Sequence, residues 1–472
     1  MTDSKCSIRK MSKQYRNRRG RKLPNGLMVV NPDAAGIDLG STVHYVSVPE
    51  DRTQDTVRNF GCYTPDLEQM AQWLVDCGVK TVVMEATGVY WMPVFRVLES
   101  YKLEVFLVNP KHVKYVPGRK TDVVDCQWLR QLHTFGLLTG AFVPPHEIAE
   151  LRVLWRHRRN LVESASKMIL QMQKALTQMN IQLHVALSDI SGVSGMRIIR
   201  AIISGERNPE LLAAMVNKGV KASHEELVAA LSGHYSESNL FVLEQVVKQY
   251  DALQEQIYKC DKQVEVNLKR FASKAAPDEL GAHPKRASKG LKRRKNEPHF
   301  DLRSELYRIT GVDFSRIDGI DCNTAFSVLS EIGFNVDAFP TEDQFVSWLG
   351  LCPNNQVTGG RVRRRSTRQV ANRAATALRV AAQSLWRNKS YLGALYRKFA
   401  SRLGAPKAIT ACAHKLARIV YRSLKYGFEY VDKGQQHLEE QHKERTIKAL
   451  KKQAGRCGFM LVDMETGECL SV

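Results

Sequence analysis

Between Gln344 and Phe428 the chain has no aspartate or glutamate, yet it carries 17 lysines and arginines there. Ordinary surface interleaves both signs, so a one-signed stretch of this length asks for a polyanionic partner. Other absences narrow the class further. No run of 18 apolar residues occurs, so no transmembrane helix is expected. The ten cysteines contain no CxxC, and none pairs with histidines at zinc-finger spacing, so reduced thiols in a cytoplasm are expected. The opening "MTDSKCSIRKMSKQYRNRRGRKLPNG" lacks the apolar core of a secretory signal. With nine Lys or Arg up to Lys22, it reads as a disordered basic arm over residues 1–30.

What is present fits a folded, multi-domain protein. The 472 residues are 43% hydrophobic and 8% aromatic, enough for proper cores, and the length predicts two or three domains. The formal net charge is +22. Anionic lipid is one partner for such charge, but no amphipathic membrane helix or lipidation motif supports a membrane. Nucleic acid is the favoured partner, bound with a steep salt dependence.

Hydrophobic periodicity divides the chain. "AAGIDLG" (34–40), "VHYVSVP" (43–49) and "TVRNFGC" (56–62) read as three short strands. "PDLEQMAQWLVDCG" (65–78) is a helix burying Leu67, Met70, Ala71, Leu74 and Val75, opened by Pro65 and closed by Gly78. Strand 80–85, helix 89–101, strand 103–109 and a helix from near Thr121 complete a mixed sheet flanked by helices. Beyond "VPP" (143–145), Leu151, Leu154, Leu161, Met168, Met172, Ala175 and Met179 hold roughly a seven-residue repeat. Leu243, Val246, Tyr250, Leu253, Ile257, Cys260, Val264 and Leu268 hold a 3-4-3-4 pattern. Two such helices form either a long antiparallel coiled-coil hairpin or ordinary amphipathic helices on a core. "HPKRASKGLKRRKNEPH" (283–299), with seven basic residues and two prolines, is a linker or nucleic-acid arm. "RIDGIDCNTAFSVLSEIGF" (316–334) is a glycine turn into a helix, holding either a phosphate or only itself. Asp321 replaces the second glycine of the phosphate-binding version.

The acids are sparse and oddly placed. Asp38 ends the first strand and Glu85 the fourth, while Asp122 and Asp125 stand three apart in "KTDVVDCQWL", on one helix face. Singly, Asp122 reads as charge compensation at a helix N-terminus and Glu85 as a turn acid. Together they make more sense. Neighbouring strands lie about 4.8 Å apart, so two strand-end acids meet at one edge, and a helix packed there adds two more. Four converging carboxylates repel unless a cation intervenes. Hard oxygen ligands suit Mg²⁺ or Mn²⁺, and two such ions about 4 Å apart clamp a phosphodiester displacement.

"VTGGRVRRR" supplies the other chemistry. Gly359 and Gly360 let backbone approach a phosphate, and Arg361, Arg363, Arg364 and Arg365 grip phosphate oxygens. Thr358 is either a nucleophile or a turn hydroxyl capping local backbone; Ser366 is the other candidate hydroxyl. Arg368, Asn372, Arg373 and Arg379 extend the basic surface. The aromatics Trp386, Tyr391, Tyr396 and Phe399 are expected in the core.

"GIDLGSTVHYVSV", "MEATGVYW" and "KTDVVDC" closely resemble the IS110-type, or DEDD, insertion-sequence transposases. "FVSWLGLCPNNQVTGGRVRRRSTRQVANRAATALRVAAQSL" (345–385) resembles that family's C-terminal domain. The resemblance covers about residues 31–190 and 305–430. It implies an α/β RNase H-like (RuvC-like) N-terminal domain, a long helical coiled-coil hairpin and a mostly α-helical C-terminal transposase domain. The implied boundaries are 31–143 for the catalytic domain, 144–280 for the hairpin with its insertion and 281–304 for the basic linker. The transposase domain spans 305–432, and a charged tail spans 433–472. The family's four acids fall on Asp38, Glu85, Asp122 and Asp125, and its serine nucleophile falls on Thr358. The implied partners are donor and target DNA, a noncoding bridge RNA and further copies of the chain, dimer to tetramer. The implied location is the prokaryotic cytoplasm, at the nucleoid. Two rivals remain. "GIDLGST" also resembles the first phosphate loop of actin-like phosphotransferases, and a catalytically inactive nucleic-acid-binding protein would share the charge.

Overall fold

A computed structural model describes residues 27–109, 122–217, 219–284, 294–368, 370–462 and 469–470. Residues 1–26 of the expected basic arm and 285–293 of the expected linker thus lie outside the described residues. The chain divides into two compact units, Met1–Val143 and Pro144–Val472.

In the first unit, β1 (Ala34–Leu39), β2 (Val43–Ser47) and β3 (Val57–Gly61) form an antiparallel meander. Strands β4 (Thr81–Glu85) and β5 (Glu104–Val108) join it in parallel, giving the order β3-β2-β1-β4-β5. Among the described residues, three helices cover the sheet: α1 (Thr64–Asp76), α2 (Trp91–Ser100) and α3 (Asp122–Thr134). The expected α/β architecture holds, element for element. Asp66 accepts a hydrogen bond from the Tyr63 amide at 3.3 Å and starts α1 with Pro65. Trp73 rather than Val75 completes the buried face of α1, since Val75 is exposed.

Period-two alternation sends Ile37, Leu39, Val46, Val82 and Met84 to one side of the sheet, into a core with Met70, Leu74, Val94 and Leu98. Val83 and Val108 turn to the other side and pack on Leu129 of α3. The central strands are therefore buried on both faces, which their continuous apolar runs require. Helix α3 crosses β1 where β1 has no side chain. A Cβ on Gly36 would lie 2.3 Å from the Cys126 carbonyl oxygen and 2.5 Å from the Arg130 amide nitrogen.

The far end of α3 is anchored. The Val30 and Asn31 amides donate to the Thr134 carbonyl at 2.9 and 3.0 Å, and Asn31 Nδ2 donates to the His133 carbonyl at 2.8 Å. The His133 ring hydrogen-bonds Thr81 Oγ1, and burial pushes its pKa down to about 4. The C-terminal end of α3 is thus held at the beginnings of β1 and β4. Helix α3 runs antiparallel to both, and its first turn lies at their C-terminal edge.

In the second unit, α4 (His146–Gln178) and α5 (Glu237–Lys269) are helices of 33 residues each. They pack antiparallel: Arg270 reaches Glu150 at 3.8 Å at one end, and the His234 amide donates to the Met179 carbonyl at 2.8 Å at the other. Leu151, Leu161, Met172, Leu243, Tyr250, Ile257 and Val264 are buried. Leu154, Met168 and Leu253, expected with them, are only half-buried. An ion pair between Arg158 and Asp261, 4% and 1% exposed, lies between the helices, and Asp261 also accepts from the His299 amide at 3.1 Å. Shorter helices occupy residues 183–231.

The remainder comprises α6 (Leu302–Thr310), α7 (Cys322–Ile332), α8 (Glu342–Trp348), a hairpin of β6 (Pro353–Thr358) and β7 (Arg361–Thr367), then α9 (Arg373–Ser384), α10 (Tyr391–Leu403), α11 (Ala405–Tyr426) and α12 (Phe428–Arg456). Phe326, Phe345 and Tyr421 are fully buried here. The Asp321 carboxylate accepts from the Thr324 amide at 2.7 Å and caps α7. A carboxylate thus satisfies an amide at this helix N-terminus, a role that the structural alternative for the turn at 316–321 supplies. No helix among the described residues is long and apolar enough to cross a membrane.

Candidate active site

Asp38 and Glu85 follow directly after the paired residues Ile37 and Met84 on adjacent parallel strands. Asp38 shares a face with Gly36, and Glu85 with Val83, so both turn toward the side that α3 covers. Asp122 and Asp125 occupy the first turn of α3 at the same edge. Asp38, Glu85 and Asp125 are half-buried and Asp122 is exposed. Burial pushes the Cys126 thiol up to about 12, with the Asp38 carboxylate adding to the shift. Asp38 therefore lies beside the residue that follows Asp125.

Sheet and helix thus bring four oxygen donors of one chemical type to one edge, and hard oxygen donors fit a hard divalent cation. They share an edge, not a point. Among the described residues, no three His, Cys, Asp or Glu side chains are grouped tightly enough to hold a metal ion.

The expected Thr-Gly-Gly loop is a β-hairpin. Thr358 pairs with Arg361 across a two-residue tip, with Gly359 at φ +56° and Gly360 at φ +73°. Two positive φ values make a type I′ turn, which glycine adopts without strain. Thr358, Gly359, Gly360, Arg361 and Arg363 are all exposed. Cross-strand pairing places Thr358 and Arg361 on one face of the hairpin and Val357 and Val362 on the other, while Arg363 falls at the irregularity, outside the paired register. For Arg364 and Arg365 only the backbone register is described, opposite Gln356 and Asn355, beside an irregularity between Gln356 and Val357. Ser366 pairs with Asn354 near the base, away from the tip.

Two family models match the chain. The DEDD transposase model of IS110 type covers residues 35–181, and the transposase model of the IS116/IS110/IS902 family covers residues 313–397. The chain belongs to the IS110 family of transposases. It is a DNA transposase, and the DEDD class implies divalent-metal-dependent chemistry. The actin-like phosphotransferase reading is set aside. No curated protein matches the chain.

Within this transposase the structure sorts the acid-free stretch into two kinds of cation. Some are internal ties. Arg418 and Arg422 bind Glu342, Arg422 through Nε at 2.6 Å, and Arg422 is the largest cause holding the Glu342 carboxyl down at about 2. Arg368 donates to the Ser347 carbonyl and, at 3.3 Å, to its hydroxyl, fastening the hairpin base to α8. Asn372 accepts from the Ala375 amide at 3.0 Å and caps α9. Others, including Arg361, Arg363, Arg373, Arg387, Lys389, Lys398 and Arg402, are exposed and available to a phosphate backbone.

Two residues that the pattern of acids did not single out position this edge. Gly36 lets α3 sit against β1, and Arg130 of α3 donates Nε to Ser47 Oγ at 3.1 Å across the sheet. A glycine two residues before a strand-end acid was the available signal for the first. Nothing local in the sequence marks the second.

Proposed function

We propose that this transposase cuts and rejoins DNA at Asp38, Glu85, Asp122 and Asp125, which hold Mg²⁺ or Mn²⁺, with Thr358 as the nucleophile. The observation that carries the reading is the convergence of β1, β4 and the first turn of α3 on one sheet edge. The strand order with its mixed pairing supports assigning the first unit to the RuvC-like fold. Bringing the four carboxylates onto common ions requires their side chains to draw together from that shared edge.

Bound ions would supply Lewis-acid stabilisation of charge developing on phosphate oxygens. Thr358 Oγ attacks phosphorus; the Oγ–P bond forms, the bond to one sugar oxygen breaks, and the proton leaves with that sugar hydroxyl. A sugar hydroxyl of the recipient strand then attacks the threonyl phosphodiester and restores the Thr358 hydroxyl. Arg361, paired with Thr358 across the hairpin, and Arg363, exposed at the bulge beside it, hold the non-bridging oxygens. Gly359 and Gly360 keep the tip free of side chains for the approach. Arg364, Arg365, Arg368 and Arg373 extend the nucleic-acid contact in this reading, with Arg368 acting chiefly through the hairpin base.

The acids lie in the first unit and the hydroxyl in the second, and in this reading the chain acts as a dimer or tetramer. The long antiparallel helices, as a coiled coil, provide the assembly surface. A bridge RNA held by shape and phosphate contacts selects donor and target, at the nucleoid.

A strand-exchange assay tests this, using the full-length protein, element-end DNA, bridge RNA and Mg²⁺. A denaturation-resistant protein–DNA adduct should form, map to the peptide bearing Thr358 and disappear with EDTA. An adduct at Ser366, or undiminished exchange by Thr358→Ala, overturns the role of Thr358. Cleavage that persists in EDTA overturns the role of the acids.

A further inference from the structure

Of the four aromatics expected in the core, Tyr396 is buried and Tyr391 and Phe399 are half-buried, but Trp386 is 57% exposed. It lies in the short 3-10 turn Leu385–Arg387 between α9 and α10. That turn is firmly built. Leu385 is fully buried, and its carbonyl accepts from the Asn388 amide at 3.0 Å. Arg397 of α10 donates Nη1 to the Asn388 carbonyl at 2.7 Å and to the Trp386 carbonyl at 3.3 Å. Asn388 Oδ1 accepts from the Ser390 amide at 2.9 Å. Helix α10 comes so close that a Cβ on Gly393 would lie 2.0 Å from the Asn388 carbonyl oxygen.

The turn thus commits its backbone polar groups inward and presents the side chains of Trp386, Arg387 and Lys389 to solvent, all three exposed. Burying that indole elsewhere would be favourable, yet the backbone holds it out. Two cations, Arg387 and Lys389, follow it within three residues, inside the stretch without a carboxylate. An exposed aromatic side chain on a built turn with exposed cations close in the chain is suited to stacking an unpaired base and gripping its neighbouring phosphates. Paired bases in a duplex have their faces covered, so such a site separates single strands from double strands. A transposase that breaks and exchanges strands generates unpaired DNA.

We propose that Trp386, Arg387 and Lys389 form a binding site for an unpaired nucleotide of a DNA strand, the indole stacking on the base and the cations contacting the flanking phosphates. The test is fluorescence anisotropy of the full-length, nucleic-acid-free protein with labelled oligothymidylate over a range of salt. Duplex DNA and oligouridylate of equal length serve as companion probes. Trp386→Ala should weaken oligothymidylate binding roughly 5- to 100-fold with an unchanged salt slope and little effect on duplex. Trp386→Phe should retain most of the affinity, and Arg387→Ala should reduce the salt slope by about 0.7. Addition of oligothymidylate should quench the indole emission that is lost in Trp386→Phe. Unchanged affinity in Trp386→Ala, an equal loss on duplex, or a loss confined to oligouridylate overturns the proposal, the last reassigning the turn to RNA. Should Trp386→Ala lower the melting temperature, the Phe variant and the quenching decide.

Discussion

Asp38 and Glu85 end strands that are buried on both faces, whereas Thr358 ends a strand whose described side chains are all exposed. The acid edge is carried by a five-stranded sheet with helices on both sides, and its helix is seated on a bare glycine. The hydroxyl is carried by an isolated two-stranded hairpin, a structure of marginal stability by itself, fastened at its base through Arg368. The contrast matches two chemical demands. Charge stabilisation works through donors set in place beforehand. A nucleophile that joins and leaves a DNA strand gains from a tip that the strand itself helps to position.

Removing one acid should have the largest effect. Asp125→Asn should lower strand exchange on the order of a thousandfold, since electrostatic stabilisation worth several kcal/mol is lost, while the melting temperature stays near wild type. Thr358→Ala should abolish the covalent adduct and leave folding unchanged, and Thr358→Ser should restore the adduct. Equal adduct levels in all three proteins would remove the hairpin from the chemistry.

A smaller effect tests the seating of α3. Gly36→Val should destabilise the first unit by about 2 kcal/mol through overpacking and lower exchange with it, by pushing the acid-bearing helix off β1. Normal exchange in a destabilised Gly36→Val protein would separate packing from positioning.

The two units should also differ in acid. His133 has a depressed pKa, so its stabilising contribution is complete above the unfolded value near 6.5 and is lost as pH falls through about 4. Glu342 contributes fully above about 4.5, and that contribution is lost as pH falls toward about 2. Melts at a series of pH values should show the first unit softening first. His133→Gln should flatten the upper window, and Glu342→Gln should cost about 1–2 kcal/mol at neutral pH. The smallest effect is at the tip. Gly359→Ala, at φ +56°, should cost about 1 kcal/mol of hairpin stability and slow adduct formation only a few-fold.

Much of the first unit was legible because apolar runs of strand length alternate there with helical periods and are punctuated by Pro65 and Gly78. The hairpin was not. "PNNQVT" and "RVRRRST" carry no hydrophobic alternation, and their described side chains are almost all exposed, so only the Gly-Gly pair hints at the tip. Trp386 and Tyr396 stand in similar helical surroundings, and spacing cannot tell which is held out by a turn and which is packed. Asp321, where a phosphate-binding turn has glycine, proved to be a helix cap, because a short carboxylate satisfies the same amides that a phosphate would.

The amino-acid order alone determined which residues are strands and helices in the first unit, where the carboxylates fall along them and how one-sided the charge is, since these depend on local period and composition. Tertiary structure decided which ends of β1, β4 and α3 meet, which arginines are internal ties and which face solvent, and which aromatic is left exposed. Those outcomes depend on strand register, on the close approach that Gly36 permits, and on contacts between residues far apart in the chain.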